Sequence, residues 1–125
     1  MLRLRLCLLV TLLWLPQAQA ADRPGRTEAA GQDVLPVISV AELPAEARNT
    51  LRAIKQGGPF AYERDGVVFK NYERMLPKKP SGYYHEYTIK TPGVRNRGTR
   101  RIISGGTDEY YFTADHYQTF KRIRE

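Results

Sequence analysis

Apolar residues recur at helical spacing in one stretch of the chain, between two groups of helix-breaking residues. Leu43, Leu51 and Ile54 form a spaced apolar stripe, with alanines beside it. A proline stands at the first turn, where its missing N–H does no harm, and a Gly-Gly-Pro sequence follows the last turn. The pattern predicts one helix, from about Ala45 to Gln56, whose role is core packing.

Short segments rich in β-branched and aromatic residues, separated by turn signals, make up most of the remaining chain. One helix followed by strands joined through tight turns predicts an α+β fold, with one main helix packed on a twisted antiparallel sheet of about five strands. The first segment contains a proline, so it can form no more than a short edge strand. The candidate strand segments are 34–40, 84–89, 100–104, 110–113 and 119–123, and 67–69 is a brief apolar run.

Alternation along the segment 84–89 predicts which residues share a face of the sheet. Tyr84, Glu86 and Thr88 fall on one face, and His85 falls on the other with its alternate neighbours. The two faces cannot both be the core, and the carboxylate of Glu86 favours its own face as the open one. We therefore expect the helix on the opposite face and a candidate site on the Glu86 face.

The first 20 residues have the parts of a secretory signal peptide. Arg3 and Arg5 form a basic start, an apolar run extends over 6–15, and Ala-Gln-Ala ends at Ala20 as a cleavage site. A membrane anchor is the alternative, but the run is shorter than the roughly 20 apolar residues that span a bilayer. We expect a secreted protein with a signal peptide at 1–20, a flexible leader at 21–32 and one small domain at 33–125.

Cysteine content and charge narrow the chemistry of the expected mature chain. Cys7 leaves with the signal, so the core must suffice without disulfides and no thiol is available for catalysis or zinc. The chain has 20 Lys and Arg against 13 Asp and Glu, and losing two arginines with the signal leaves a net charge of +5. This charge favours a polyanionic partner, such as nucleic acid or a membrane surface, although it also suits solubility alone.

Cleavage of RNA without a metal requires a base, an acid and cations around one phosphate. The base takes the proton of the ribose 2′-OH, the acid protonates the leaving 5′-oxygen, and the cations hold the phosphate oxygens. Glu86 and His116 are the natural pair, with Arg97, Arg100 and Arg101 as candidate cations. From the pattern alone, Glu86 could instead be a surface residue paired with an arginine, and either histidine could be structural.

The segment 67–73 has the residue types needed to read a base. Guanine presents two adjacent N–H donors, and the carboxylate of Glu73 can accept both, whereas adenine has an acceptor at that edge. Backbone groups around Asn71 and a ring such as Phe69 or Tyr117 could complete a pocket for an unstacked base. The alternative is an ordinary turn with an exposed glutamate.

Several motifs occur in order over roughly Val34 to Arg124. They are Phe69-x-Asn71-x-Glu73, Tyr84-His85-Glu86-Tyr87, Arg97-Gly98-Thr99-Arg100-Arg101-Ile102-Ile103 and Asp115-His116-Tyr117-Gln118-Thr119-Phe120. Together they resemble the microbial guanyl-specific ribonuclease family. The resemblance implies a helix on an antiparallel sheet, and cleavage of RNA after guanosine through a 2′,3′-cyclic phosphate that is then hydrolysed. We expect no metal and no other cofactor, because the nucleophile in this reaction is the substrate's own 2′-OH and the sequence has no cluster of metal ligands.

The resemblance also implies roles for individual residues, carried over by position. Glu86 matches the general base, His116 the general acid, and Arg97 and Arg101 the phosphate-binding arginines. Glu73 matches the guanine-reading carboxylate, and His85 is not the catalytic histidine in this alignment. The further substrate-binding candidates are Phe69, Lys70, Asn71, Tyr117 and, from the cation cluster, Arg100.

One residue departs from the family pattern, since Tyr72 stands where arginine is usual. This change puts in doubt any contact that the arginine makes with phosphate, base or inhibitor. The family often comes with a small acidic inhibitor, so the resemblance implies a barstar-like partner besides RNA, and we expect a monomer with no membrane contact in the mature form. The alternative function is a basic secreted RNA-binding module that keeps the fold without catalysis, and a membrane-active role lacks an amphipathic basic helix.

Overall fold

The computed structural model describes residues 34–125. The predicted signal peptide at 1–20 and leader at 21–32 lie outside the described residues. Within 34–125, no helix is long and apolar enough to cross a bilayer. The predicted helix is confirmed as α1, Ala45–Gln56. The helix ends at Gly57, which has a left-handed backbone (φ 79°). This conformation lets the amides of Gly57 and Gly58 donate hydrogen bonds to carbonyls in the last turn of the helix.

Six strands form one sheet in the described part of the chain. The predicted α+β fold, with one main helix on a largely antiparallel sheet, is confirmed. The sheet is mixed, because the first and last strands along the described chain pair in parallel. This parallel pair joins the first and last strands of the described chain, a contact that local pattern does not reveal. In chain order the strands are β1 Val37–Ser39, β2 Val67–Phe69, β3 Tyr84–Thr88, β4 Arg101–Gly105, β5 Glu109–Thr113 and β6 Lys121–Arg124, arranged in space as β1-β6-β5-β4-β3-β2.

The helix packs on one face of the sheet, as the amphipathic pattern predicted. Ala47 and Leu51 are buried on its inner side and join strand residues such as Ile102 and Ile123 in one apolar cluster. Burying such a side chain stabilises a fold by about 1.5–3 kcal/mol. This cluster fixes the orientation of strands β4, β5 and β6, because their apolar residues must face the helix.

The opposite face of the sheet is not open, which corrects the expectation for the face that carries Glu86. A second apolar cluster covers part of it, built from strand residues such as Tyr84 and Ile103 and from the loop residues Leu76 and Phe120. Glu86 is consequently only 6% exposed. Loops between the strands fold over this face, and a carboxylate there needs polar partners to offset its desolvation.

Candidate active site

The carboxylate of Glu86 has polar partners on three separate loops. It lies in the middle of β3, paired across the sheet with Ile103 of β4. The guanidinium of Arg97 lies 3.3 Å from its Oε1, and the hydroxyl of Tyr117 donates to its Oε2 at 2.7 Å. The Nε atom of Arg64 lies 3.7 Å from Oε1. The buried carboxylate therefore has donor groups from three loops around it.

Two arginines are held rigidly beside Glu86. The guanidinium of Arg97 donates to the Thr88 hydroxyl from Nε at 3.0 Å and from its terminal nitrogen at 2.8 Å. Arg101 is 2% exposed, and one of its terminal nitrogens donates to the carbonyls of Arg97, Gly98 and Arg100. The Nε of Arg101 has no hydrogen-bond partner within 34–125. The hydrogen bonds that hold both guanidiniums are thus in place before any substrate arrives, and the unpartnered Nε of Arg101 is itself buried.

A loop after β5 presents the predicted acid. His116 and Tyr117 both have left-handed backbone angles, with φ of 55° and 70°. Such angles are uncommon for residues with a side chain and need local support. Asp115 supplies it: its carboxylate accepts hydrogen bonds from the Thr113 hydroxyl, from the Thr119 hydroxyl and from the amides of residues 118 and 119. These bonds, led by those from Thr119, lower the pKa of Asp115 to about 2.

The side chain of His116 is exposed, and its ring packs against that of Tyr117 with centroids 4.8 Å apart. Its backbone amide donates to the carbonyl of Thr99, in the loop that also carries the phosphate-binding candidates. Burial, and then the hydrogen bond to Glu86, raise the pKa of the Tyr117 hydroxyl, so that it stays a donor at neutral pH. The loop therefore brings an imidazole and a phenol to the mouth of the Glu86 site.

The predicted base-reading segment lines the same cavity as Glu86. This cavity has a volume of about 410 Å³. Asn71 shapes its wall: its amide exchanges two hydrogen bonds with the backbone of Leu76, at 2.9 and 3.1 Å, while its own backbone is left-handed with φ of 50°. The Phe69 ring packs 5.2 Å from that of Tyr117. The residues lining the cavity are Arg64, Val68, Phe69, Lys70, Asn71, Tyr72, Glu73, Met75, Glu86, Tyr117 and Phe120.

Arg100 is the one predicted site residue that the structure places away from this group. Its guanidinium donates to the Thr91 hydroxyl and to the carbonyl of Lys90, and lies 3.6 Å from the carboxylate of Glu46 on the helix. It precedes Arg101 in the chain, so alternation directs it to the helix side. Of the other candidates, Tyr72 is 81% exposed at the cavity mouth, with the Lys70 ammonium 5.9 Å from its ring centre.

His85 lies on the face opposite Glu86. Its Nδ1 atom is 2.9 Å from the carbonyl oxygen of Gly66, in the turn before β2. This contact suits a structural role for the ring. Among the residues that the structure describes, no group of three or more His, Cys, Asp and Glu side chains is arranged to hold a metal ion.

Three functional candidates escaped the sequence reasoning. Arg64 lines the cavity, Thr88 anchors Arg97, and Asp115 supports the loop of His116. Alternation already placed Thr88 beside Glu86 and could have indicated its part. Arg64 lies in an irregular loop, where the sequence has no helical or strand periodicity from which the direction of a side chain could be predicted.

Comparison with known proteins agrees with this fold. A family model described as ribonuclease matches residues 26–124. Guanyl-specific ribonuclease Sa of Kitasatospora aureofaciens is 55% identical over 92 residues, covering 73% of this chain and 96% of that protein. Guanyl-specific ribonuclease St of Saccharopolyspora erythraea is 49% identical over 84 residues, covering 67% and 83%.

Solved structures give the same result. Ribonuclease Sa2, in a structure with mononucleotides, matches with a TM-score of 0.72 at 50% identity, covering 73% of this chain and 95% of that one. Ribonuclease Sa2 with guanosine-2′-cyclophosphate matches with a TM-score of 0.69 at 51% identity, covering 72% and 96%. The fold and cavity define a ribonuclease. The chain belongs to the microbial guanyl-specific ribonuclease family, which confirms the resemblance read from its motifs.

Proposed function

We propose that this protein is a metal-independent endoribonuclease that cleaves single-stranded RNA after guanosine. The observation that carries the proposal is the shared cavity, in which the segment from Phe69 to Glu73 and the carboxylate of Glu86 line one space. A base held by that segment brings its own ribose and 3′-phosphate towards Glu86. Recognition and proton transfer therefore act on the same nucleotide.

In the first step, Glu86 removes the proton of the guanosine 2′-OH, and the oxygen attacks the adjacent phosphorus. His116, in its protonated form, gives a proton to the departing 5′-oxygen of the next nucleotide, leaving a 2′,3′-cyclic phosphate. In the second step the roles reverse. His116 takes a proton from water, whose oxygen attacks the phosphorus, and Glu86 returns its proton to the departing 2′-oxygen, which leaves a 3′-phosphate. The exposed position of His116 lets its imidazole exchange protons with solvent between the steps.

Arg97 and Arg101 stabilise the charge that grows on the phosphate oxygens. Their hydrogen bonds to Thr88 and to backbone carbonyls hold both guanidiniums in place before the reaction. Preorganised cations need no rearrangement at the transition state, and removing one such donor typically costs about 10²–10³ in rate. Tyr117 keeps Glu86 oriented through its hydroxyl.

Guanine preference is assigned to Glu73, whose carboxylate accepts from both N–H groups of the Watson–Crick edge. The rings of Phe69 and Tyr117, 5.2 Å apart, supply apolar surface beside the base. Adenine would leave an acceptor facing the carboxylate. Glu73 is exposed in the free protein and a bound base would cover it, and an unpaired polar group that is then buried costs about 1–3 kcal/mol. This difference corresponds to a selectivity of about 5- to 150-fold for guanosine.

The test is digestion of matched RNA and DNA strands by the purified protein in EDTA, followed by mapping of the product ends. We expect RNA fragments ending in guanosine 3′-phosphate, with a transient cyclic phosphate, and intact DNA. Glu86→Gln should bind RNA but not cut it. Cutting of DNA, or loss of activity on chelation, would rule out the mechanism, and binding of RNA without turnover would favour the non-catalytic alternative.

We further propose a secreted monomer that a small acidic, barstar-like protein can inhibit. The proposed signal peptide at 1–20 supports secretion, and the arginines around Glu86 offer an acidic protein a complementary surface. Sequencing the N-terminus of the exported protein tests the cleavage after Ala20. Sedimentation measures the oligomeric state, and inhibition assays with acidic proteins test the partner.

A further inference from the structure

Arg64 belongs to a loop that is fastened to the strand carrying Glu86. The neighbouring residue Asp65 accepts hydrogen bonds from the amide of Thr88 in β3 at 2.7 Å and from the amide of Tyr62 at 3.1 Å. The Arg64 carbonyl accepts from the amide of Val67, at the start of β2. The backbone of Arg64 is thus fixed relative to Glu86, while its side chain extends into the shared cavity.

The guanidinium of Arg64 differs from those of Arg97 and Arg101 in how it is held. Arg97 is tied to Thr88 and Arg101 to carbonyl oxygens. Arg64 makes no side-chain hydrogen bond to any residue in 34–125. Its one polar contact there is the Nε to Oε1 approach to Glu86 at 3.7 Å, and its side chain is 62% exposed. An ion pair of this length at the surface is weak and readily exchanged.

We propose that Arg64 is a third phosphate-binding residue, which pairs with Glu86 in the free protein and transfers to the scissile phosphate when RNA binds. This inference rests on the proposed function and assigns a role that neither Arg97 nor Arg101 can perform. Those two guanidiniums are tied by their anchors to Thr88 and to backbone carbonyls. Arg64 approaches from the loop before β2 and can follow the charge as it moves.

The direction of charge movement during cleavage supports this exchange. Before reaction, Glu86 is negative and attracts the guanidinium of Arg64. As Glu86 takes up the 2′-OH proton, it becomes neutral, and the phosphate oxygens gain the negative charge. A mobile cation 3.7 Å from Oε1 then has its best partner at the phosphate. Interactions that strengthen as the reaction proceeds are those that raise the rate.

The experiment compares two ligands that differ only in a phosphate, guanosine and guanosine 3′-monophosphate, by titration calorimetry. The variants are Arg64→Gln, Arg64→Lys and a control, Arg52→Gln. The control removes an equal charge from an exposed position on α1, where the Arg52 side chain donates a hydrogen bond to Asn49. We expect Arg64→Gln to weaken binding of the monophosphate about 5- to 50-fold, the range for one charge-assisted hydrogen bond at a partly exposed site. Guanosine binding should be unchanged.

Two further readouts separate this role from a structural one. Arg64→Lys, which keeps the charge, should recover part of the loss, and Arg52→Gln should change neither ligand's affinity. With a guanylyl dinucleotide substrate, Arg64→Gln should lower kcat as well as raise KM, because the contact strengthens at the transition state. Unfolding temperatures close to that of the wild type would show that the loop is intact.

Equal weakening of guanosine and the monophosphate would overturn the inference, because Arg64 would then act on the base. Unchanged binding of both would also overturn it, leaving Arg64 as a surface partner of Glu86. Failure of the proposed function looks different: the wild-type protein would show no preference for guanosine over adenosine, or would not cut RNA. In that case the inference falls with the function on which it rests.

Discussion

Replacing Asp115 by Asn tests whether one carboxylate supports the loop of the proposed acid. Asp115 accepts bonds from Thr113, Thr119 and two backbone amides, and it precedes two left-handed residues, His116 and Tyr117. The variant keeps the shape of the side chain but loses its charge and one acceptor. The loop should then relax towards ordinary backbone angles and displace the imidazole.

The magnitude follows from the depressed pKa of Asp115. A fall from 3.8 to about 2 would correspond to roughly 2.5 kcal/mol without screening. The carboxylate lies near the surface, where solvent and salt weaken such interactions, so we expect about 1 kcal/mol of lost folding free energy at pH 7. Displacing His116 by about 1 Å should lower kcat/KM about 100-fold, mostly through kcat.

The sign of the pH dependence gives a second check. Because the pKa of Asp115 is lower in the folded protein, its stabilising contribution is complete above about pH 4 and disappears as the pH falls towards 2. The wild-type protein should lose this part of its stability in that interval, and the Asp115→Asn variant should not.

Urea unfolding between pH 2 and 7, together with kinetics on a guanylyl dinucleotide, measures both effects. The control is Asp108→Asn, an exposed carboxylate in the turn between β4 and β5. It removes the same charge far from His116 and should leave kinetics unchanged. If Asp115→Asn keeps wild-type kcat/KM, or keeps the wild-type loss of stability below pH 4, the loop does not depend on this carboxylate.

Three further predictions concern single side chains. Glu73→Gln should reduce the preference for guanosine over adenosine by about 5- to 150-fold, since one acceptor becomes a donor, and mapping of cleavage ends checks it; unchanged preference would move base reading to another residue. The profile of kcat/KM against pH should be bell-shaped. His116→Gln should lower the rate by about 10²–10⁴ and flatten the basic limb of the profile, whereas His85→Gln should preserve that limb. The reverse result would exchange the roles of the two histidines. Arg100→Gln should leave KM and kcat near wild type but lower stability by about 0.2–1 kcal/mol, because its partner Glu46 is on the helix; a large rise in KM would return it to the site.

The sequence predicted most of the fold because its signals are local. The helix bounds followed from a stripe of apolar residues and a Gly-Gly-Pro stop, and they coincide with α1. The parallel pairing of β1 with β6 could not be predicted, because it joins segments more than 80 residues apart and depends on packing that neither segment encodes alone. The third strand was predicted correctly, yet the burial of Glu86 was not, since loops distant in sequence cover its face.

The positions of the site residues likewise depend partly on local sequence pattern and partly on contacts between distant segments. Alternation alone separates Arg100 from Arg101, and applying it to this pair would have kept Arg100 out of the cation cluster. The role proposed for Arg64 needs three-dimensional coordinates, because an irregular loop determines where its side chain lies. Tyr72, the departure from the family pattern, remains at the mouth of the cavity, so the change alters the residue type there without closing the pocket.

The pairing of β1 with β6 has a consequence for when the protein becomes active during its synthesis. Residues 37–39 leave the ribosome early, but their partners at 122–124 come some 80 residues later. The β6 strand also completes the pairing of β5, which leads into the His116 loop. A nascent chain, or one cut before Lys121, therefore lacks the strand between β1 and β5 that supports this loop. We expect such a chain to be inactive, which would spare the RNA of the cell that makes it until the last strand has been translated.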